Sequence, residues 1–222
     1  MRLQTFAVIS ILCVSVAAGA EKKRSPACIT EAKCELFFSP KGGCTEEIVQ
    51  EIGGAKKSIL VLAYSFTSDP IAKALGEARL RGVEVKAVID SARIAERAGD
   101  AYNMMEDGIE VYSDSVHAIQ HQKVIIIDPG EAISTVIMGS FNFTGNAEHS
   151  NSENILVIKS RDLATAFATN WEFHKAHSRK CFFSERGPEP SDPYKTACLI
   201  LAGIILIYAA VTVRRNYFCR RK

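Results

Sequence analysis

The chain has 222 residues, of which 47% are hydrophobic, and a formal net charge of +2. This is the composition of a globular protein, and it excludes disorder over most of the length. Six of the 27 basic residues lie in the two terminal segments, which leaves 21 basic against all 25 acidic residues between positions 21 and 195. A sequence-independent nucleic-acid binder usually carries a basic domain, so a nucleic acid would have to bind a local basic patch.

Residues 1–20 predict a signal peptide. Arg2 precedes an apolar run that ends in Ala18, Gly19 and Ala20, which is the pattern of a cleavable export signal. An uncleaved anchor is the alternative, and the basic residues at 22–24 disfavour export. Residues 21–34 are predicted to be a polar leader.

Residues 35–184 predict a single folded domain in which strands and helices alternate. Apolar runs at 58–64 and 83–90 are typical of strands buried on both faces. Further strands are predicted at 35–38, 109–112, 123–128, 135–138 and 154–159, and helices from 45, at 69–81, around 94–106 and at 161–177. The predicted fold class is α/β, with a mixed sheet sandwiched between helices.

Residues 196–213 contain no charged side chain and predict a transmembrane helix. As a helix they would span about 27 Å, close to the bilayer core of about 30 Å. A proline-containing spacer, 185–195, precedes them and a basic tail, 214–222, follows. The positive-inside rule places the tail in the cytoplasm and the domain on the exported side, anchored to the membrane. A buried helix of a soluble protein is the alternative.

Four cysteines fall in the predicted exported part: Cys28, Cys34, Cys44 and Cys181. An even number in an exported domain predicts two disulfides, with three pairings open. Zinc binding by these cysteines is the competing interpretation, although their spacing does not resemble a zinc finger.

A candidate catalytic motif, H-x-K-x4-D, is formed by His121, Lys123 and Asp128. Residues two apart on a strand project to the same face, so His121 and Lys123 are expected side by side. An imidazole that attacks phosphorus, next to an ammonium that holds the phosphate oxygens, is suited to phosphodiester cleavage.

Two further motifs follow. Ser140 and Asn142, in G-S-x-N, share one face of an extended segment and offer hydrogen-bond donors to phosphate. Glu153, in N-S-E-N, is placed to accept a hydrogen bond from one nitrogen of His121 and so set its tautomer.

The remaining histidines, His117, His149, His174 and His177, belong to none of these motifs. His174 and His177 are three residues apart on the last predicted helix, where we expect a solvated face rather than a metal site. Clustered carboxylates that would indicate a catalytic metal are not found in the sequence, and no cofactor is expected.

In their order and spacing the three motifs resemble those of the phospholipase D superfamily over roughly residues 35–181. The segments 63–67 and 139–144 are most similar to its small exported bacterial endonucleases, which carry one motif per chain, and the mitochondrial phospholipase-D-like nucleases are also similar. The resemblance implies a phosphohistidine on His121, phosphate binding by Lys123 and Asn142, and orientation of His121 by Glu153. Asp128 belongs to the motif and is expected to be structural.

These observations predict a metal-independent phosphodiesterase that acts on nucleic acid. Phospholipid is the alternative substrate, favoured by the predicted membrane helix and by the acidic balance of the domain. A catalytically inactive, membrane-tethered binding protein is the second alternative. The reaction needs two acid–base groups and the chain has one motif, so we expect a homodimer that shares one active site.

Overall fold

The structure, a computed structural model, describes residues 32–94 and 101–182. The predicted signal peptide, membrane helix and basic tail lie outside these ranges, as do most of the predicted leader and the spacer. Within the two described ranges, every helix is too short or too polar to cross a bilayer.

The described chain forms ten strands and six helices. The strands are β1 (Lys33–Ser39), β2 (Ser58–Ala63), β3 (Phe66–Thr67), β4 (Glu84–Asp90), β5 (Glu110–Asp114), β6 (Val124–Ile127), β7 (Thr135–Gly139), β8 (Phe143–Thr144), β9 (Glu153–Lys159) and β10 (Arg179–Lys180). The helices are α1 (Cys44–Gly54), α2 (Asp69–Leu80), α3 (Ser91–Ile94), α4 (Ala101–Glu106), α5 (Gly145–His149) and α6 (Arg161–His177).

Eight strands form one mixed sheet in the order β1-β9-β7-β6-β2-β4-β5-β10, and β3 and β8 pair in a separate two-stranded sheet. The neighbours β2, β4 and β5 run parallel. On the other side of β2, the strands β6, β7, β9 and β1 pair antiparallel in succession. The predicted α/β class with a mixed sheet is confirmed.

Helices cover both faces of the sheet because its central strands are apolar on both faces. In β2, Ile59 and Val61 belong to the core that contains the buried side chains of α1 and α2, whereas Leu60 and Leu62 belong to the core beneath α6. Burying each such side chain contributes about 1.5–3 kcal/mol. Trp171 of α6 fixes the second layer, since its indole N–H donates to the carbonyl oxygen of Val61 at 2.9 Å.

Sequence-predicted element bounds hold best for long elements. Helix α6 has the predicted bounds, and β2 and β4 each differ by one residue at one end. The predicted leader is wrong at its end, because Lys33 and Cys34 already belong to β1, where they pair with β9. The short elements β3, β8, β10 and α5 were not predicted, because segments of two to five residues are too short to show a periodic pattern of apolar side chains.

The prediction of two disulfides is wrong. Cys34, Cys44 and Cys181 are free thiols, and two bridges among four cysteines would have to join two of these three. Cys34 lies on the edge strand β1 and Cys181 follows β10 at the opposite edge. Seven strand spacings, roughly 34 Å, separate the two edges, whereas bridged Cα atoms lie about 4.4–6.8 Å apart. Cys28 lies outside the described residues.

Asp128 closes the turn after β6 against the chain that enters β2. Its carboxylate accepts backbone N–H groups from Lys56 at 2.8 Å, from Lys57 at 2.7 Å and from Ser58 at 2.9 Å. The residue is buried and has a φ of 50°, a left-handed conformation that aspartate tolerates better than most residues. The carboxylate therefore satisfies three backbone N–H groups that would otherwise need hydrogen bonds from water.

We predict that Asp128→Ala lowers the free energy of unfolding by about 3 kcal/mol or more, because a hydrogen bond to a charged group contributes about 1.5–3 kcal/mol. Urea unfolding followed by circular dichroism measures the change. Glu131→Ala in the same turn is the matched control. Its exposed ion pair with Lys57 is worth about 0–1 kcal/mol. Equal losses in the two variants would contradict the assigned role of Asp128.

Candidate active site

His121 and Lys123 lie in the extended segment directly before β6, and not within the strand as predicted. The pairing of β6 with β2 stops at Val124 opposite Leu62, because β2 ends one residue later and its chain turns away toward β3. His121 is exposed, whereas Lys123 is buried. The segment thus presents the imidazole at the surface and the ammonium beneath it.

The side chain of Lys123 forms a hydrogen bond with the backbone of its own segment. Its Nζ donates to the carbonyl oxygen of His121 at 2.8 Å. Burial lowers the pKa of Lys123, and the nearby negative charge of Glu153 partly offsets this effect. An ammonium so placed retains donors for a phosphate oxygen.

Tyr64, one residue beyond β2, is the aromatic centre of the site. Its ring lies 4.9 Å from the ring of His121, centroid to centroid, and 5.3 Å from Nζ of Lys123. The guanidinium carbon of Arg93 lies 4.6 Å from the same ring, and Arg93 also donates to the Tyr64 hydroxyl. Sequence reasoning assigned no role to Tyr64 or Arg93, because their contacts depend on the meeting of two strand ends.

Two buried aspartates at the carboxyl ends of β4 and β5 hold the loop that leads to His121. Asp90 accepts the backbone N–H of Gln120 at 2.9 Å, and Asp114 accepts those of Val116 at 3.0 Å and His117 at 3.4 Å. Burial alone would raise the pKa of Asp114, but hydrogen bonds from His117, from these backbone groups and from His177 outweigh it and lower the pKa to about 2.

A polar cavity of about 380 Å³ lies next to one of the two downstream phosphate-binding candidates. Asn142 lines this cavity, and its buried Oδ1 has no hydrogen-bond partner among the described residues. Ser140 is exposed, and its hydroxyl oxygen accepts the backbone N–H of Asn154 at 3.3 Å. Uncharged residues make up the wall: Ser65, Thr67, Asn142, Thr144, Gly145, Asn146 and Asn151.

Glu153 lies near the ammonium rather than bonded to the imidazole. Its Oε1 accepts from the Asn151 amide at 3.4 Å, and its backbone N–H donates to Ser39 at 3.2 Å. Over residues 32–94 and 101–182, the imidazole of His121 makes no hydrogen bond. Orientation of His121 by Glu153 therefore stays a prediction.

The expectation of a solvated face for the histidines of the last helix is wrong for His174, which is only 7% exposed. The rings of His117 and His177 lie 4.9 and 5.5 Å from its ring. The reason is tertiary, since the end of α6 packs against the end of β5 and the loop that follows it.

Comparisons with known proteins identify relatives over most of the described chain. The family model described as "Cardiolipin synthase, PLD-like domain" matches residues 48–174. A phospholipase D of Rickettsia prowazekii (strain Madrid E) is 39% identical over 155 residues, which cover 70% of this chain and 74% of the relative. A mitochondrial cardiolipin hydrolase of Chlamydomonas reinhardtii is 26% identical over 149 residues, 67% of this chain and 64% of that protein.

A solved structure shares the fold. Nuc from Salmonella typhimurium, described as a phospholipase D family member, superposes with a TM-score of 0.64 at 41% sequence identity, and covers 68% of this chain and 99% of its own.

Gly139 permits the close approach of β7 to the start of β9. A Cβ atom at this position would lie 2.0 Å from the backbone oxygen of Asn154, which no L side chain can accommodate without a shift of the backbone. Ser140 and Asn142 follow Gly139 in the chain, so the close approach of β7 to β9 sets the position of these two residues.

We predict that Gly139→Ala lowers the free energy of unfolding by about 1–3 kcal/mol through overpacking. Gly53→Ala in α1 is the matched control, because a Cβ at Gly53 meets nothing within 4 Å. Alanine in the helix should raise stability by about 0.5–1 kcal/mol. Denaturant midpoints of both variants measure the pair of effects, and a neutral Gly139→Ala would refute the close-approach argument.

Proposed function

Because this chain belongs to the phospholipase D superfamily, we propose that it hydrolyses phosphodiester bonds of nucleic acid with His121 as nucleophile. The chain is a hydrolase of this superfamily. The exposed imidazole of His121 can attack phosphorus, and the buried ammonium of Lys123 and the side-chain N–H groups of Asn142 can donate to the phosphate oxygens.

The proposed reaction has two displacement steps. A ring nitrogen of His121 attacks phosphorus, and the bond from phosphorus to the leaving oxygen breaks while a second imidazole gives that oxygen its proton. Water then attacks phosphorus of the phosphohistidine, the same second imidazole takes the proton of the water, and the phosphorus–nitrogen bond breaks to release the phosphate product and free His121. Lys123 and the amide of Asn142 stabilise the charge that develops on the non-bridging oxygens.

The observation that carries the choice of nucleic acid is the polar cavity beside Asn142. Hydroxyl and amide side chains line it, together with Gly145, and no apolar side chain contributes. These groups can hydrogen-bond a sugar-phosphate chain, whereas an acyl-bearing group would meet no apolar wall there.

Phospholipid is the second candidate, favoured by a different observation. The Rickettsia prowazekii relative, with 39% identity, is named a phospholipase D. A membrane anchor at 196–213, which we propose on the sequence alone, would also hold the site near lipid. The third reading, an inactive tethered binder, predicts no turnover on any substrate.

We predict that the purified full chain cleaves DNA or RNA faster than it hydrolyses cardiolipin or phosphatidylcholine vesicles, and that added Mg²⁺ does not change the rate. His121→Ala should remove all measurable turnover, since no nucleophile is left. Lys123→Ala should cost about 2.7–4 kcal/mol of transition-state stabilisation, as does the loss of one oxyanion donor.

Lys73→Ala is the control variant, because this lysine of α2 is exposed and, among the described residues, pairs with Glu77 on the same helix. Faster turnover of cardiolipin than of nucleic acid would transfer the proposal to phospholipid. Full activity of His121→Ala on any substrate would refute the assigned nucleophile.

We further propose that two chains share one active site. The reaction needs a second imidazole, yet His117, His174 and His177 surround Asp114 and His149 lies exposed on α5. In the loop before His121, Val116 is 65% and Ile119 is 54% exposed, so an apolar surface lies beside the nucleophile. Burial of that surface against a second copy would bring a second His121 to the site across a two-fold axis.

We predict that His121→Ala chains co-expressed in excess with differently tagged wild-type chains lower the activity per wild-type chain, because mixed dimers hold one imidazole instead of two. Tandem purification through both tags isolates the mixed dimers for assay. An excess of wild-type chains with the second tag is the control. Mixed dimers with full activity per wild-type chain would contradict the shared site.

A further inference from the structure

Four potential metal ligands meet at the end of β5, outside the site described above. Asp114 ends this strand, His117 follows three residues later, and His174 and His177 occupy the last turns of α6. Their four ligand atoms all lie within 4.8 Å of one another. Both pairs are three residues apart, a spacing that puts the two helical histidines on one face.

The three imidazoles converge on one oxygen of Asp114. Its Oδ2 lies 2.9 Å from Nδ1 of His117, 3.4 Å from Nδ1 of His174 and 3.4 Å from Nε2 of His177. Its Oδ1 is engaged separately by the backbone N–H groups of Val116 and His117. One carboxylate oxygen is thus surrounded by three ring nitrogens, more than its lone pairs can serve as acceptors.

The separations around Asp114 suit a tetrahedral ion. Ligands at about 2.0–2.1 Å from Zn²⁺ lie about 3.3 Å from one another, and the three distances to Asp114 are 2.9 to 3.4 Å. The four ligand atoms as a set lie within 4.8 Å of one another, so the ring nitrogens would move closer together around the ion. Three nitrogens and one oxygen form a donor set that suits Zn²⁺ and does not suit the oxygen-seeking Mg²⁺ or Ca²⁺.

His174 supplies an independent observation. It is 7% exposed, and its buried Nδ1 has no hydrogen-bond partner among the described residues. This nitrogen faces Asp114 at 3.4 Å without hydrogen-bond geometry. A buried ring nitrogen left unpaired is costly, and a metal ion at the centre of the cluster would use its lone pair.

The other nitrogen of His174 contacts the catalytic motif. Nε2 lies 3.0 Å from the side-chain amide of Gln122, which also bonds to Asn170. With metal on Nδ1, Nε2 would carry the proton and donate to the amide oxygen of Gln122. The Gln122 nitrogen contacts Nε2 of His174 and donates to Oδ1 of Asn170, so the metal-bound form requires both amides to be flipped, which exchanges nitrogen and oxygen in each. Such second-layer hydrogen bonds commonly orient metal-bound histidines.

We propose that Asp114, His117, His174 and His177 bind one Zn²⁺ ion that joins β5, the loop before His121 and the end of α6. Four protein ligands close the coordination shell, which is typical of structural rather than catalytic zinc. Since Gln122 lies between His121 and Lys123 and contacts His174, the ion would stabilise the position of the catalytic segment through this side chain. The proposal does not depend on the substrate or on the reaction proposed above.

The test measures the metal content of the full chain, purified in mild detergent without a polyhistidine tag, by inductively coupled plasma mass spectrometry. We expect one Zn²⁺ per chain, and a four-coordinate Co²⁺ absorption spectrum after exchange. Removal of the ion with EDTA should lower Tm by about 5–10 °C, and Zn²⁺ but not Mg²⁺ should restore it.

The variants separate this site from the proposed active site. His117→Gln and His177→Gln, at partly exposed positions, should fold by circular dichroism and lose the ion. His149→Gln, an exposed histidine of α5, and His121→Asn should keep it. The proposal is overturned if the wild-type chain binds no Zn²⁺ and its Tm does not change when Zn²⁺ is added. It is also overturned if both ligand variants keep the full metal content, or if His121→Asn loses the ion.

Discussion

Buried carboxylates that accept backbone N–H groups from neighbouring loops are the interaction on which the site depends. Asp128 takes three such donors from the entry to β2, and Asp90 and Asp114 take those of the loop before His121. Glu148 of α5 accepts the N–H groups of Gly43 and Thr45 at the start of α1. Each carboxylate fixes a loop or the start of a strand or helix, because an unpaired buried donor is costly.

This arrangement leaves His121, the proposed nucleophile, exposed on a fixed backbone. The loop before His121 is attached at Gln120 to Asp90, which ends β4, and at Val116 to Asp114, which ends β5. Parallel neighbours end at the same edge of a sheet, so the two anchors lie side by side. Among the described residues, the imidazole of His121 has a ring contact with Tyr64 and no hydrogen bond. Its reach toward a substrate is therefore defined by the backbone rather than by its own hydrogen bonds.

The sheet and α6 could be predicted from sequence because burial on both faces leaves runs such as 58–64 and 83–90, and amphipathic burial marks 161–177. The loops could not, because an aspartate that ends a strand has the same sequence signature whether it binds solvent, metal or backbone. His174 shows the limit: its spacing from His177 is that of a solvated helix face, and only the packing of α6 against β5 buries it. Tyr64 was likewise visible in the sequence, but its contacts with Lys123 and Arg93 were not.

The histidines of this chain lie in different environments, which supports different roles for them. A nucleophile that attacks phosphorus and then leaves it should be exposed and make few hydrogen bonds, as is the case for the imidazole of His121. His117, His174 and His177 instead surround one buried carboxylate, so none of them is free to act as the second acid–base group of the reaction. His149 lies on α5, outside the Asp114 cluster. The proposed shared site therefore obtains the second acid–base group of the reaction from His121 of a second copy.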